Sequence, residues 1–160
     1  INAVNNNHRG LIVIFDNKWT AMTGHQPRPD LDIEELVEAC GVNKANIYKI
    51  NPYNVKNSIR TMREAKDRSK SELAVVISEG ECMLPVLRKK RRNNEPVQQY
   101  IINTEKCASE KCGVCFERVG CSAISMTGHY PEINPDKCAG CGLCFNLCPY
   151  NAINKKEKEK

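Results

Sequence analysis

The chain lacks any long hydrophobic run. No stretch of its 160 residues approaches the roughly 20 consecutive apolar residues that span a bilayer. Residues 1–7 contain no charged segment followed by an apolar one, so the pattern of a signal peptide is also missing. We therefore predict no association with a membrane. The sequence has no initiator methionine, and we interpret it as a processed chain or as a fragment that begins inside a domain.

Aromatic residues are scarce, at 6% of the chain, although the net charge is +5. Much of the basic excess lies in two runs, residues 88–92 and residues 155–160. Proteins that bind single-stranded nucleic acid interleave basic residues with aromatic rings on which bases stack, and that pattern is missing from both runs. We predict no nucleic-acid partner and interpret the runs as a solvated linker and a solvated tail. A basic patch that docks an acidic redox protein is the alternative.

Cysteine is abundant, with ten residues, and eight of them lie between Cys107 and Cys148. The run from Cys138 to Pro149 has the spacing C-x2-C-x2-C-x3-C-P, which resembles the ligand run of bacterial ferredoxins that hold [4Fe-4S] clusters. In that pattern three thiolates bind one cluster, and the cysteine before proline binds the neighbouring cluster. The pattern predicts transfer of single electrons.

Disulfides and zinc are the alternatives for these cysteines. Close C-x2-C spacings suit a metal site better than a disulfide framework. Zinc sites usually pair two C-x2-C elements across a longer gap, whereas this run has a third cysteine and a C-x3-C-P end. We therefore favour iron and sulfide. Because exposed clusters of this kind are often oxygen-labile, we predict a cytoplasmic location in an anaerobe.

The cysteine-rich segment reads as two half-repeats. Residues 103–107 match residues 134–138 in place and polarity, and Ala-Ile follows the last cysteine of each half, at 123–124 and 152–153. The first half departs from the ferredoxin spacing, since four residues separate its first two cysteines and serine, not proline, follows its last. By the ferredoxin crossing rule, the predicted ligands of one cluster are Cys107, Cys112, Cys115 and Cys148. Those of the other are Cys121, Cys138, Cys141 and Cys144. A single cluster with a degenerate first site is the alternative.

Two cysteines lie outside this segment. Cys40 falls at the end of a predicted helix, and we interpret it as a core residue. Cys82 follows a predicted strand, so a functional role is more plausible for it, although packing remains the simpler interpretation.

The first ninety residues have an α/β pattern. Apolar runs predict strands at residues 11–15, 46–50 and 73–77, the first buried on both faces. Asp32 and Asn54 are predicted N-caps of two intervening helices, with Glu35 reaching back to the first cap and Gly41 ending that helix. The alternation predicts a parallel sheet, whose ligands would bind beyond the carboxyl ends of its strands.

We predict four segments. An α/β unit occupies residues 1–90, and a charged linker occupies residues 91–100, although the charged stretch itself begins at residue 88. A small α+β two-cluster ferredoxin domain occupies residues 101–154, and a charged tail occupies residues 155–160.

The stretch Thr20-Ala-Met-Thr-Gly-His-Gln-Pro27, with Asp16-Asn17 before it, resembles the thiamine-diphosphate domain of indolepyruvate:ferredoxin oxidoreductase, alpha (large) subunit. Members of that family carry D-N-x-x-T-A-M-T-G-H-Q-P there and end in a two-cluster ferredoxin domain, so the resemblance covers essentially the whole chain. It implies a three-layer, thiamine-diphosphate-type α/β fold. By the same resemblance, Asn17 and the Trp19 carbonyl would bind Mg²⁺. The implied cofactor loop comprises Thr20, Met22, Thr23, Gly24 and His25, with His25 as a catalytic candidate.

The family's G-D-x motif, which supplies a further magnesium ligand, does not occur in the sequence. The resemblance implies oxidative decarboxylation of an aryl pyruvate, with coenzyme A taking up the acyl group. It also implies a smaller beta subunit and ferredoxin as partners. A pure electron carrier, with a ferredoxin domain joined to a non-catalytic α/β segment, and a zinc-binding interaction module are the competing function classes.

Overall fold

A computed structural model describes residues 1–157, with only the backbone of Glu110, and residues 158–160 of the predicted tail lie outside the described residues. The chain packs as two compact units, Ile1–Cys82 and a second that begins at Met83. In the first unit the elements are α1 (Asn2–Asn5), β1 (Gly10–Asp16), β2 (Trp19–Thr20), β3 (Gln26–Pro27), α2 (Ile33–Ala39), a 3₁₀ turn (Lys44–Asn46), β4 (Ile47–Ile50), α3 (Val55–Arg68) and β5 (Leu73–Glu79). In the second they are α4 (Met83–Arg92), β6 (Tyr100–Ile102), a 3₁₀ turn (Ser109–Lys111), a π turn (Val114–Arg118), β7 (Ile124–Thr127), β8 (Tyr130–Ile133), α5 (Leu143–Leu147) and β9 (Ile153–Lys155).

The first unit contains a three-stranded parallel sheet in the order β1-β5-β4. Side chains of β5 alternate between the two faces. Val75 and Ile77 pack with Val37 of α2, whereas Val76 packs with Ala65 of α3. Helices therefore cover both faces of the central strand, and the predicted α/β architecture with a parallel sheet is confirmed. A two-residue antiparallel pair, β2 with β3, lies in the loop that follows β1.

The prediction that β1 is buried on both faces is wrong. Phe15 is 82% exposed and Ile12 is 42% exposed. The strand lies at the edge of the sheet, and because Ile12 and Phe15 lie on opposite faces of it, each face is only partly covered. Full burial belongs instead to the central strand β5, in which the residues from Ala74 to Ser78 are all buried.

The predicted helix caps are confirmed. The Asp32 carboxylate accepts hydrogen bonds from the backbone N–H groups of Glu34, at 2.8 Å, and Glu35, at 3.2 Å. The side chain of Asn54 accepts from the N–H of Asn57 at 3.4 Å. Each cap satisfies backbone donors that have no partner inside the helix, and so fixes where the helix begins.

The charged stretch that begins at Arg88 is helical, so the prediction of a linker is wrong for residues 88–92. These residues form the second half of α4, whose apolar residue Leu87 is buried. Of residues 88–100, those from 93 to 99 lack regular structure. The boundary between the units falls after Cys82, earlier than the predicted boundary at residue 90.

Two antiparallel strand pairs frame the second unit. β6 pairs with β9 and β7 pairs with β8. Its core contains Tyr100, Ala123, Ile124 and Ile153, together with Cys138 and Cys144. Apolar residues of both half-repeats thus meet in one core, with cysteines among them.

Candidate functional site

The eight clustered cysteines of the second unit form two groups. One cavity is lined by Cys107, Cys112, Cys115 and Cys148, together with apolar residues. The thiols close enough to act on Cys115 electrostatically are the other three members of this set, which we call the Cys107 group. Those that act on Cys144 are Cys121, Cys138 and Cys141, which with Cys144 form the Cys138 group. Each group takes three cysteines from one half-repeat and one from the other.

Equivalent asparagines position the first cysteine of each half. The Asn103 side chain accepts hydrogen bonds from the N–H groups of Glu105 (2.9 Å) and Lys106 (3.2 Å). Asn134 accepts at the same two distances from the N–H groups two and three residues further on. The backbone carbonyl of each asparagine also accepts a hydrogen bond from the N–H of the cysteine four residues further on, Cys107 at 3.1 Å and Cys138 at 3.0 Å. The predicted half-repeat is therefore a repeated turn geometry.

A glycine with positive φ starts the short helical turn in each half. Gly113, with φ of 61°, precedes the turn that carries Cys115, and Gly142, with φ of 75°, precedes α5, which carries Cys144. This left-handed conformation reverses the backbone between two cysteines and strains residues with a Cβ. It turns the second and third cysteines of each run toward the same group.

The longer spacing after Cys107 is accommodated by an extra 3₁₀ turn, Ser109–Lys111. Ser109 takes a left-handed φ of 43°, and its N–H donates to Cys107 Sγ at 3.3 Å. The N–H of Ala152 donates similarly to Cys148 Sγ at 3.2 Å. The insertion thus leaves Cys107 beside the other cysteines of its group.

Burial controls the acidity of two of these thiols. Burial, together with the negative charge of Cys121, Cys141 and Cys138, raises the pKa of the Cys144 thiol to about 12. Burial also raises the pKa of Cys115, with Cys107, Cys112 and Cys148 acting in the same direction. Thiols so crowded and shielded from water are stabilised as thiolates by cations.

The donor set fits iron and sulfide. A [4Fe-4S] cluster takes four thiolate ligands, and each group offers four cysteines. The Cys107 group surrounds a cavity bounded by apolar residues such as Ile102, Val114 and Pro131. Among the side chains that the structure describes, no three of His, Cys, Asp or Glu are arranged to hold a single metal ion.

The remaining two cysteines differ in surroundings. Cys40 is the half-buried C-cap residue of α2. Cys82 lies just beyond β5, where its N–H donates to the Asn17 carbonyl at 3.1 Å and its Sγ lies 3.7 Å from His25 Nε2. Cys82 therefore contacts two residues of the predicted thiamine site, a relationship that its position in the sequence did not reveal.

Asn17 and Trp19, to which the resemblance assigns magnesium, share one turn. Asn17 Oδ1 accepts a hydrogen bond from the Trp19 N–H at 2.9 Å, and the Asn17 side chain is exposed beyond the end of β1. Trp19 Nε1 donates to Glu81 at 3.2 Å. The turn offers hard oxygen donors of the kind that magnesium prefers.

The rest of the predicted cofactor loop lies at the surface of the first unit. Thr20, Thr23, Gly24 and Met22 are exposed, and His25 is half-buried with a left-handed φ of 63°. The cavity at the carboxyl end of the sheet is lined instead by the following residues: Asp16, Lys18, Asp30, Leu31, Asp32, Ile33, Glu34, Lys49, Ile77 and Glu79. Lys18 belongs to both the loop and the lining, but none of the predicted cofactor residues lines this cavity.

Asp16 and Arg28 anchor the loop, a role that was not predicted for either residue. Arg28 Nε donates to Asp16 Oδ1 at 2.9 Å and Arg28 Nη2 to Oδ2 at 2.7 Å, while Lys18 Nζ lies 2.8 Å from Oδ2. Burial by itself would raise the pKa of Asp16, but the bonds from Arg28 and Lys18 overcome it and hold that pKa well below its usual range. The only sequence signal was the position of Asp16 at a strand end.

Comparison with known proteins supports the iron–sulfur site. A model of the 4Fe-4S binding domain matches residues 131–154, which include all four cysteines of the second run. The indolepyruvate oxidoreductase subunit IorA of Methanothermobacter marburgensis is 36% identical over 99% of this chain, and that of Archaeoglobus fulgidus is 34% identical over 96%.

The chain belongs to the IorA family. It spans about a quarter of the length of the curated relatives it matches, at 26% and 25% of the two IorA subunits. The dihydromethanopterin reductase (acceptor) of Methanosarcina mazei is 44% identical over 57 residues, or 34% of the chain. No helix within residues 1–157 is both long enough and apolar enough to cross a membrane. The family assignment and the 4Fe-4S domain agree with the resemblance seen in the sequence.

Proposed function

We propose that this chain forms part of a 2-oxoacid:ferredoxin oxidoreductase that converts indolepyruvate or another aryl pyruvate to the acyl-CoA. A smaller beta subunit would complete the enzyme, and ferredoxin would accept the electrons. The membership in the IorA family carries the proposal, because the relatives that share nearly the whole chain are named indolepyruvate oxidoreductase subunits. The chain contributes the path for electrons and part of the cofactor site.

The proposal includes two [4Fe-4S] clusters, one bound by the Cys107 group and one by the Cys138 group. It is supported by the division of eight cysteines into two sets of four, each with three members from one half-repeat. When bound, each cluster takes up and releases one electron at a time. The backbone N–H groups of Ser109 and Ala152, which donate to cysteine sulfurs, would stabilise thiolate charge in either oxidation state.

The stoichiometry requires such a path. An aryl pyruvate anion and coenzyme A give the acyl-CoA, carbon dioxide, one proton and two electrons, so every turnover must deliver two electrons to one-electron carriers. The two cysteine groups suit this requirement, because each would hold a one-electron carrier and cysteines of both groups share one small core.

We further propose that the loop from Asn17 to His25 contributes to a magnesium and thiamine diphosphate site within a three-layer thiamine-type fold. Thiamine diphosphate supplies carbanion stabilisation. Asn17 and the Trp19 carbonyl would hold magnesium. His25, which contacts Cys82, would face the cofactor together with Thr20, Met22, Thr23 and Gly24. The exposed turn of Asn17 and Trp19, with its oxygen donors, supports the assignment.

The test is an anaerobic assay of the holoenzyme with several 2-oxo acids and coenzyme A, together with the Asn17→Ala variant. We expect indolepyruvate or another aryl pyruvate to give the highest kcat/KM. We expect Asn17→Ala to weaken binding of magnesium thiamine diphosphate at least about tenfold while leaving the iron content unchanged. Electron transfer with no 2-oxoacid oxidation, and cofactor binding that Asn17→Ala does not alter, would identify a pure electron carrier instead.

A further inference from the structure

We propose that the second unit docks an acidic one-electron carrier protein through a cationic face beside the Cys138 group. This face comprises Arg91, Lys137, Lys155 and Lys156, with the ring of Phe145. The proposal rests on the two-cluster function proposed above and adds to it the site at which electrons leave.

Charge is distributed unevenly between the units. The first unit has eleven basic and eleven acidic residues, whereas the sequence from Met83 onward has thirteen basic and eight acidic residues. The whole net charge of +5 therefore belongs to the unit that carries the cysteine groups. A field of one sign on one unit attracts partners of the opposite sign and steers their approach.

Within the second unit the cationic charge avoids the first half-repeat. Residues 103–121 contain three basic and three acidic residues and are neutral. Helix α4 contributes five basic residues and no acidic one, from Arg88 to Arg92. If charge marks the exit for electrons, the exit lies away from the run that begins at Cys107.

Contacts bring the end of α4 to the loop that precedes Cys138. Arg91 Nη2 donates to the carbonyl of Asp136, and Lys137 is exposed immediately before Cys138. The N–H of Lys156 donates to the carbonyl of Gln99 at 2.9 Å. The Gln99 side chain in turn donates to the Pro135 carbonyl in the same loop, at 3.5 Å. Hydrogen bonds thus link helix and last strand, which both carry cations, to the loop that precedes Cys138.

An aromatic ring completes the face. Phe145 directly follows Cys144 in α5 and is 38% exposed. Its ring packs against Tyr100, with centroids 5.8 Å apart, and Lys155 Nζ lies 5.9 Å from its centroid. The apolar ring is fixed by these contacts and can pack against a partner, while the surrounding cations meet its carboxylates.

Three carboxylates lie on the same elements and reduce the charge. Asp136 lies in the loop before Cys138, and Glu157 follows Lys156. Glu95 follows α4, and its N–H donates to the Lys90 carbonyl. The four cations of the face, Arg91, Lys137, Lys155 and Lys156, outnumber them. The face therefore remains cationic, and an acidic protein is the partner that it fits. In the transfer step, one electron passes from the reduced cluster of the Cys138 group to the oxidised centre of the carrier.

The test compares two triple variants of the full chain with reconstituted clusters. Lys137→Glu/Lys155→Glu/Lys156→Glu removes the face, and Lys106→Glu/Lys111→Glu/Arg118→Glu makes the same change in net charge around the first half-repeat. Binding to an acidic ferredoxin is measured by titration calorimetry at low and high ionic strength. Iron content and the cluster absorbance are measured on the same samples.

We expect the first variant to raise Kd at least about tenfold and to lose most of its salt dependence, while the control changes Kd less than about threefold. Equal effects of the two variants, or none, would overturn the proposal. The wild-type chain gives a second measurement that does not depend on the variants. It should bind the acidic ferredoxin but neither a basic cytochrome of similar size nor duplex nucleic acid, and binding to either would count against an acidic carrier as partner. A wild-type chain that takes up no iron would instead refute the cluster function on which the proposal rests.

Discussion

Arg28 holds the carboxylate of Asp16 with two hydrogen bonds, Nε to Oδ1 at 2.9 Å and Nη2 to Oδ2 at 2.7 Å. Asp16 ends β1 and its side chain is only 3% exposed, whereas Arg28 lies twelve residues later, at the end of the exposed loop. The pair closes that loop onto the sheet. It thereby fixes both ends of the segment that carries the predicted thiamine residues.

We predict that Arg28→Ala loosens this loop. Removal of a two-point bond to a buried carboxylate leaves Asp16 with Lys18 as its remaining charged partner, and should cost about 1–3 kcal/mol. Unfolding of the first unit can be followed by fluorescence of Trp19, the only tryptophan in the sequence. The exposed Arg63 of α3 provides the control, and equal stability of Arg28→Ala and Arg63→Ala would contradict the anchor role.

The same pair predicts a dependence on pH. Because the folded-state pKa of Asp16 lies below its ordinary value of 3.8, ionised Asp16 stabilises the fold above about pH 4. That contribution is lost as the pH falls further toward the folded-state value. Asp16→Asn should therefore be less stable than wild type at pH 7, and the difference should shrink between pH 4 and pH 2. A difference independent of pH over this range, measured by Trp19 fluorescence in denaturant, would argue against the charge on Asp16 as its cause.

Gly142→Ala should destabilise the Cys138 group. A Cβ at this position would lie 2.7 Å from the Tyr100 hydroxyl oxygen, and its φ of 75° strains any residue that has a Cβ. Gly128 has a similar φ of 64° but open space around it, so Gly128→Ala measures the backbone strain alone. We expect about half of the iron to be lost from Gly142→Ala, and full iron retention in Gly128→Ala. Equal iron contents would show that Tyr100 yields to the added methyl group.

Removal of single cysteines tests the two-group arrangement. Cys141→Ala and Cys107→Ala should each remove one of two clusters and halve the iron and acid-labile sulfide. Cys40→Ala should retain both clusters, because Cys40 lies at the end of α2 in the first unit. Reduction of ferredoxin should be abolished in Cys141→Ala. Full iron content in Cys107→Ala would indicate that the longer spacing excludes Cys107 from the site, and zinc without sulfide in the wild type would contradict the iron assignment.

The cysteine run and the repeat could be predicted because they depend on local spacing. A C-x2-C link has few conformations, and Asn103 and Asn134 form turns with residues only two and three positions away. The caps of α2 and α3 were predictable for the same reason. The parallel sheet followed from the order of apolar runs, although the exposure of β1 did not, since an edge and a central strand can share one sequence pattern.

The sequence by itself determined which residues are suited to iron and sulfide, where the half-repeats lie and which family the chain resembles. Tertiary structure decided that the longer loop after Cys107 still reaches its group, that Arg28 binds Asp16, and that α4 continues through the basic run toward the loop before Cys138. These relationships join residues that are distant along the chain. They depend on how elements pack together, and local spacing carries no information about which distant side chains will meet.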